Sequence, residues 1–109
     1  MENLNTFIFE NIGECFDYCI NYEKIDPSRF LNMFLNSKYI KSIEKGDSRY
    51  RFEVFGIELA LLILEESLMS TKKDSKTYSL NTDCSIEYWV GYTLAQYVIN
   101  EEKTFKTCF

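Results

Sequence analysis

Residues 4–22 read LNTFIFENIGECFDYCINY, and the spacing within them decides the fold class. Leu4, Ile8, Ile12, Phe16 and Ile20 recur every fourth residue, with Phe7, Cys15 and Cys19 beside them. Apolar side chains at three- and four-residue intervals fall on one side of a helix, whereas a half-buried strand would alternate. The segment predicts one amphipathic helix from Asn5 to Tyr22. Gly13 in its middle costs a helix about 1 kcal/mol relative to Ala, which points to close approach of a neighbouring helix.

The same period continues outward. Asp26-Pro27 is a start signal, because an Asp side chain accepts from first-turn amide groups and Pro has the right φ for the first helical position. A second helix follows with Phe30, Leu31, Phe34 and Leu35 inward, ending near Ser37, and a short helical turn carries Ile40 and Ile43 to Glu44. Gly46-Asp47 breaks the chain. Arg49 to Phe55 alternates loosely but has no partner strand nearby, so it reads as a connector leading into a helix. Val54 to Met69 is apolar almost all round, the pattern of a helix in the middle of a bundle. Ser70 to Asp83 is polar and reads as a long loop of the kind that is often functional. Ser85 can cap a last helix over Ile86 to Glu101, with Glu87 near its positive end, and Lys103 to Phe109 is a final turn or tail. The fold class predicted is all-α: a compact bundle of four to five helices in a single domain spanning residues 1–109.

Composition narrows the function. Of the residues, 46% are hydrophobic, enough for a core, and 17% are aromatic, from nine Phe, eight Tyr and one Trp. A small domain cannot easily bury so many rings, so some are expected at a surface, where aromatic side chains serve as binding anchors. The net charge of −5 disfavours a nucleic-acid partner, and no basic cluster offsets it. It suits instead a partner with a basic cleft. The N-terminus, Met1-Glu2-Asn3-Leu4-Asn5, has no basic region of a secretory leader, and the longest apolar run, Ile57 to Leu64, is too short to cross a bilayer. A cytoplasmic protein without a membrane partner is expected.

The standard catalytic arrangements are missing from the sequence. Histidine is absent, which excludes Ser-His-Asp triads, Cys-His dyads and His-ligated metals. The glycines stand alone, so there is no phosphate loop. Cys15 and Cys19 share a helix face as half a metal site would, but with no Cys-x-x-Cys pair they read, like Cys84 and Cys108, as small hydrophobes; no metal and no cofactor are expected. Carboxylate chemistry stays open. Glu58, in the most apolar helix, reads either as a polar group in a pocket or as a structural acid bonded to a Tyr, an Arg or helix amide groups. In Glu87-Tyr88-Trp89-Val90-Gly91-Tyr92-Thr93-Leu94-Ala95-Gln96-Tyr97, the spacing stacks Tyr88, Tyr92 and Gln96 on one face with Trp89 adjacent. That face is either packed core with hydroxyl groups reaching water or a partner-binding surface, Glu87 included. Gly91 and Ala95 mark a stripe where another helix can come close.

Gly56-Ile57-Glu58-Leu59-Ala60 followed by Ser85-Ile86-Glu87-Tyr88-Trp89-Val90-Gly91-Tyr92-Thr93-Leu94-Ala95 resembles a family of small helical proteins of low-GC Gram-positive bacteria. Its members typically show Ser-Pro-Glu-Tyr-Trp-x-Gly-Trp-x-Leu-Ala, and Lys103-Thr104-Phe105 is similar to their closing Arg-Ser-Phe. This chain departs with Ile86 in place of Pro and Tyr92 in place of Trp. Such proteins are often encoded beside ADP-ribosyltransferase-like proteins. The resemblance therefore implies a non-enzymatic antitoxin or immunity protein that binds and inhibits a partner enzyme encoded nearby, with a homodimer as a further option. The alternatives are a phage or mobile-element inhibitor of a host defence protein, and a small ligand-binding domain or enzyme using Glu58 or Glu87 with the tyrosines.

Overall fold

The structure, a computed structural model, describes residues 5–67, 78 and 84–108. Among the described residues the chain is all-α, with no strand and six helices: α1 (Thr6–Asp17), α2 (Pro27–Leu35), α3 (Lys38–Lys45), α4 (Ser48–Phe52), α5 (Gly56–Glu66) and α6 (Ile86–Asn100). The predicted boundaries hold to within a residue or two at most ends. The first helix differs: its α-helical part stops at Asp17, and Tyr18–Tyr22 continue as a single π-helical turn. The stretch read as a connector forms the one-turn helix α4, started by the Asp47 carboxylate, which accepts the Arg49 amide at 3.0 Å. Phe105–Cys108 form a final 3-10 turn. The loop predicted over residues 70–83 lies outside the described residues except for Tyr78.

The caps follow the sequence signals. Asp26 accepts the amide groups of Ser28 and Arg29 at 3.1 and 3.2 Å and starts α2 with Pro27 in its first turn. Ser37 caps α3, and Gly46 ends it in the left-handed region at φ 92°, a conformation that costs any residue with a Cβ.

The centre of the bundle corrects one expectation. The helix in the middle is α1, packed against α4, α5 and α6, whereas α5 leaves Glu58, Glu65 and Glu66 exposed. Along α1 and its π turn, Ile8, Phe9, Ile12, Cys15, Phe16, Tyr18 and Cys19 are all buried. The apolar stripe of residues 4–22 is wide enough to be covered from several sides. Phe16 carries the joint with α2, edge-on to Phe30 and Phe34 with 5.0 Å between centroids in each pair, and Phe34 in turn meets Phe105 of the closing turn. One buried polar side chain fixes the entry to α5. The Asn11 amide accepts the Gly56 N–H at 3.1 Å and donates to the Val54 carbonyl at 3.3 Å.

Candidate functional site on helix α6

Helix α6 carries a single charge, Glu87, among fifteen residues. It is apolar on nearly every side, yet among the described residues it has one neighbour of any size, α1. The side against α1 presents Tyr88, Gly91, Ala95 and Val98, all buried. The two backbones meet at two glycines. A Cβ on Gly13 would stand 2.7 Å from the Tyr88 main-chain oxygen, and one on Gly91 would stand 2.8 Å from that of Ile12. Close helix approach at Gly13 and at the Gly91/Ala95 stripe is thus as the sequence predicts.

The opposite side is open. Ile86 is 78% exposed, Trp89 49%, Val90 44% and Tyr97 48%, with Thr93 exposed and Leu94 half-buried between them. Offsets of three and four residues place these side chains in one stripe, about 16 Å long at 1.5 Å per residue. Singly, exposed apolar residues need no explanation, but a contiguous stripe of this kind marks an interaction surface.

The structure divides the face expected from sequence. Tyr88 is buried against α1, and Tyr92 is half-buried with its ring edge-on to Phe9 at 5.6 Å. Trp89 lies outside both, 5.0 Å from the Tyr88 ring and 5.3 Å from the Tyr92 ring between centroids. Gln96 is exposed. Tyr88 and Tyr92 therefore support the indole from within, and Trp89 is the ring available for contact. Ile86, Val90, Thr93, Leu94 and Tyr97 are the surface residues that the sequence reading did not single out. Their signal was present: a helix apolar all round needs cover on both sides, and α1 supplies only one.

Of the two readings of Glu58, the pocket acid is the one the structure does not bear out. The residue stands exposed in the first turn of α5, where the carboxylate meets the helix's positive end in water. It is not a buried pocket acid. Gly56 sinks into α1 while the helix turns its Glu58 side outward.

The buried acids are instead Glu23 and Asp17, and the one that meets α6 is Asp17. Its Oδ1 accepts from the Ser85 hydroxyl and, at 2.9 Å, from the Asn21 side-chain amide; its Oδ2 accepts from the Tyr78 hydroxyl at 2.6 Å. Ser85 meanwhile accepts the Tyr88 N–H at 3.1 Å and so caps α6. Asn21 donates a second bond to Glu87 Oε1 at 2.9 Å. One carboxylate at the end of α1 thus fixes the start of α6 and the position of Glu87. Beside it, Tyr18 donates to Glu23 at 2.7 Å. Burial first, and then the bonds to Glu23 and Asp17, push the hydroxyl groups of Tyr18 and Tyr78 well above the ordinary tyrosine range. They are held as neutral donors, unsuited to proton abstraction at neutral pH.

Next to the exposed stripe, a cavity of about 230 Å3 opens between the end of α1, α2 and α6. Phe16, Ile20, Pro27, Phe30, Leu31 and Val90 line it, and among the described residues Glu87 is its one ionisable lining residue. It is smaller than the roughly 300–1,000 Å3 of small-molecule sites, and has the apolar walls that seat a side chain. Val90 also borders the shallow depression formed by Ile86, Trp89, Thr93 and Leu94, so cavity and stripe are continuous. Cys15 on α1 and Cys19 on its π turn are buried free thiols, and among the described residues no three side chains of metal-binding type gather.

Compared with protein-family models, curated proteins and solved structures, the chain matches none.

Proposed function

We propose that this chain is a non-enzymatic protein-binding module of the antitoxin or immunity type, which binds and inhibits an enzyme encoded nearby, of the ADP-ribosyltransferase-like class. The observation that carries the binding part is the open apolar side of α6: Ile86, Trp89, Val90, Thr93 and Tyr97 in one row, with Trp89 braced by two tyrosines. A rigid indole on a helix spends little conformational entropy on docking, which is why aromatic residues dominate the energetics of protein interfaces. The enzyme class comes from the sequence resemblance around Glu87-Tyr88-Trp89 alone.

A small enzyme or ligand site built on Glu58 or Glu87 with the tyrosines has less support. Glu58 is exposed and borders none of the described cavities, and Tyr18 and Tyr78 are already committed to carboxylates. The test is co-expression of the tagged chain with the product of the adjacent gene, followed by size exclusion and a growth assay. Co-elution in a defined ratio with relief of the neighbour's toxicity is the expected result. No complex, and equal toxicity with and without this chain, would overturn the proposal.

A further inference from the structure

We infer that the partner surface covering α6 is an amphipathic helix that seats an apolar side chain in the Phe30/Leu31/Val90 cavity and sets a lysine or arginine against Glu87. The inference deepens the protein-binding reading of the same surface and rests on it. Three observations carry it together. The cavity and the exposed stripe share Val90 and form one continuous apolar track along α6. Such a track takes a helix through anchors at i, i+3, i+4 and i+7, and an end cavity of about 230 Å3 takes one large anchor. The third observation is charge. Glu87 is the one charge on α6 and, among the described residues, the one ionisable group lining the cavity, and Asn21 holds one of its oxygens in place from behind.

The α2 side of the cavity contributes only Pro27, Phe30 and Leu31, while Arg29 lines a separate depression with Asn36 and Glu66. Beyond the far end of the stripe, Glu101 and Lys103 are exposed, while Glu102 lines a separate depression with Lys45 and Arg51. The track is therefore apolar with an acid at its cavity end, on a chain of net charge −5. A second copy of this chain would bring the same net charge and an α6 with no cation to set against Glu87, whereas a basic amphipathic helix complements both features.

The experiment is a selection from a displayed library of helical peptides, run against the full chain and repeated against its Glu87→Gln and Val90→Glu variants. Glu87→Gln keeps the oxygen that accepts from Asn21, and Val90 is already exposed, so both variants fold; circular dichroism checks this. The expected winners carry an apolar ridge at helical spacing with Lys or Arg three or four residues from the main anchor. They lose about threefold to tenfold in affinity on Glu87→Gln, together with most of their salt dependence, and more than tenfold on Val90→Glu. Winners that are acidic or uncharged, or that bind both variants as well as the parent, would overturn the inference, as would enrichment of nothing above background. So would concentration-dependent dimerisation abolished by Val90→Glu, since a second copy would then occupy the track. The protein-binding reading fails separately, in the co-expression assay: a partner that binds through Trp89 but does not depend on Glu87 sinks only the basic helix.

Discussion

A Cβ on Gly13 would stand 2.7 Å from the main-chain oxygen of Tyr88 and 2.9 Å from its ring, so α1 and α6 touch where neither side can yield by a rotamer change. Gly91 makes the reciprocal contact with Ile12 and Phe16. The helix pair that displays the open stripe is held at this separation by two hydrogen atoms standing where methyl groups would clash.

Gly13→Ala is accordingly expected to destabilise. The substitution gains about 1 kcal/mol of helix propensity, but overpacking against backbone costs about 1–3 kcal/mol and here has no flexible neighbour to absorb it. A clash with rigid backbone falls in the upper half of that range, so the net loss of about 1–2 kcal/mol lowers Tm by several degrees in a domain of this size. Gly91→Ala has the same sign. The double variant should lose less than the sum, because one helix displacement relieves both clashes. A rise in Tm on either single change, measured by thermal circular dichroism, would contradict the close packing.

Trp89 and Tyr92, adjacent on one helix, should separate cleanly. Trp89 is half exposed, so Trp89→Ala keeps stability within about 1 kcal/mol of the parent, while losing about 2 kcal/mol or more of partner affinity, roughly thirtyfold. Tyr92 packs on Phe9, so Tyr92→Ala costs about 2 kcal/mol of fold stability. Urea denaturation beside titration calorimetry with the co-purified partner distinguishes them. Unchanged affinity in a folded Trp89→Ala variant would remove the stripe from the interface.

Asp17→Asn tests the hub at the start of α6. The carboxylate accepts from Ser85, Asn21 and Tyr78, and an amide replaces one acceptor oxygen by a donor facing donors. About 2–3 kcal/mol of stability should go, since bonds to a charged group are the stronger kind. Hydrogen exchange should speed up at the first amides of α6 more than at its end. Uniform exchange along α6 would show that Asp17 does not hold that cap.

Asn11→Ala leaves the Gly56 N–H and the Val54 carbonyl without their side-chain partner next to a buried chain reversal. The expected cost is about 2 kcal/mol or more, beyond that of a surface Asn→Ala change. A loss below about 0.5 kcal/mol, the ordinary surface range, would mean that water replaces the amide.

Alkaline pH provides a test that reads Tyr88. Burial, and then the negative charge of Glu10, push its hydroxyl up to about 12 from an ordinary 10. The folded state keeps this proton where the unfolded chain has lost it. Stability from this source is therefore complete below pH 10 and falls as the pH rises from 10 toward 12. Tyr18 and Tyr78 act in the same direction. In Tyr88→Phe the alkaline fall should be shallower, with Tyr18 and Tyr78 supplying the remainder. An identical slope in parent and variant would place the Tyr88 hydroxyl in water.

The sequence by itself determined the local order of this protein. The three- and four-residue spacing from Leu4 to Ile20, the Asp26-Pro27 start, the Gly46 stop and the Ser85 cap set the helices, because those signals act within a turn or two of chain. The glycines at 13 and 91 also announced a close approach, since glycine within a helix needs a reason. Which helix lies at the centre, which side of α6 stays open and which acid is buried were decided only by the tertiary structure. Apolar pattern gives the same reading to a helix covered on both sides, as α1 is, and to one covered on a single side, as α6 is. Glu58 and Asp17 each sit among apolar neighbours in sequence, but the first lies on the outer side of α5 and the second at the end of α1, where Ser85 and Tyr78 arrive from more than sixty residues away. Burial depends on what packs against a side chain, and that is a property of partners distant in sequence, which no local spacing encodes.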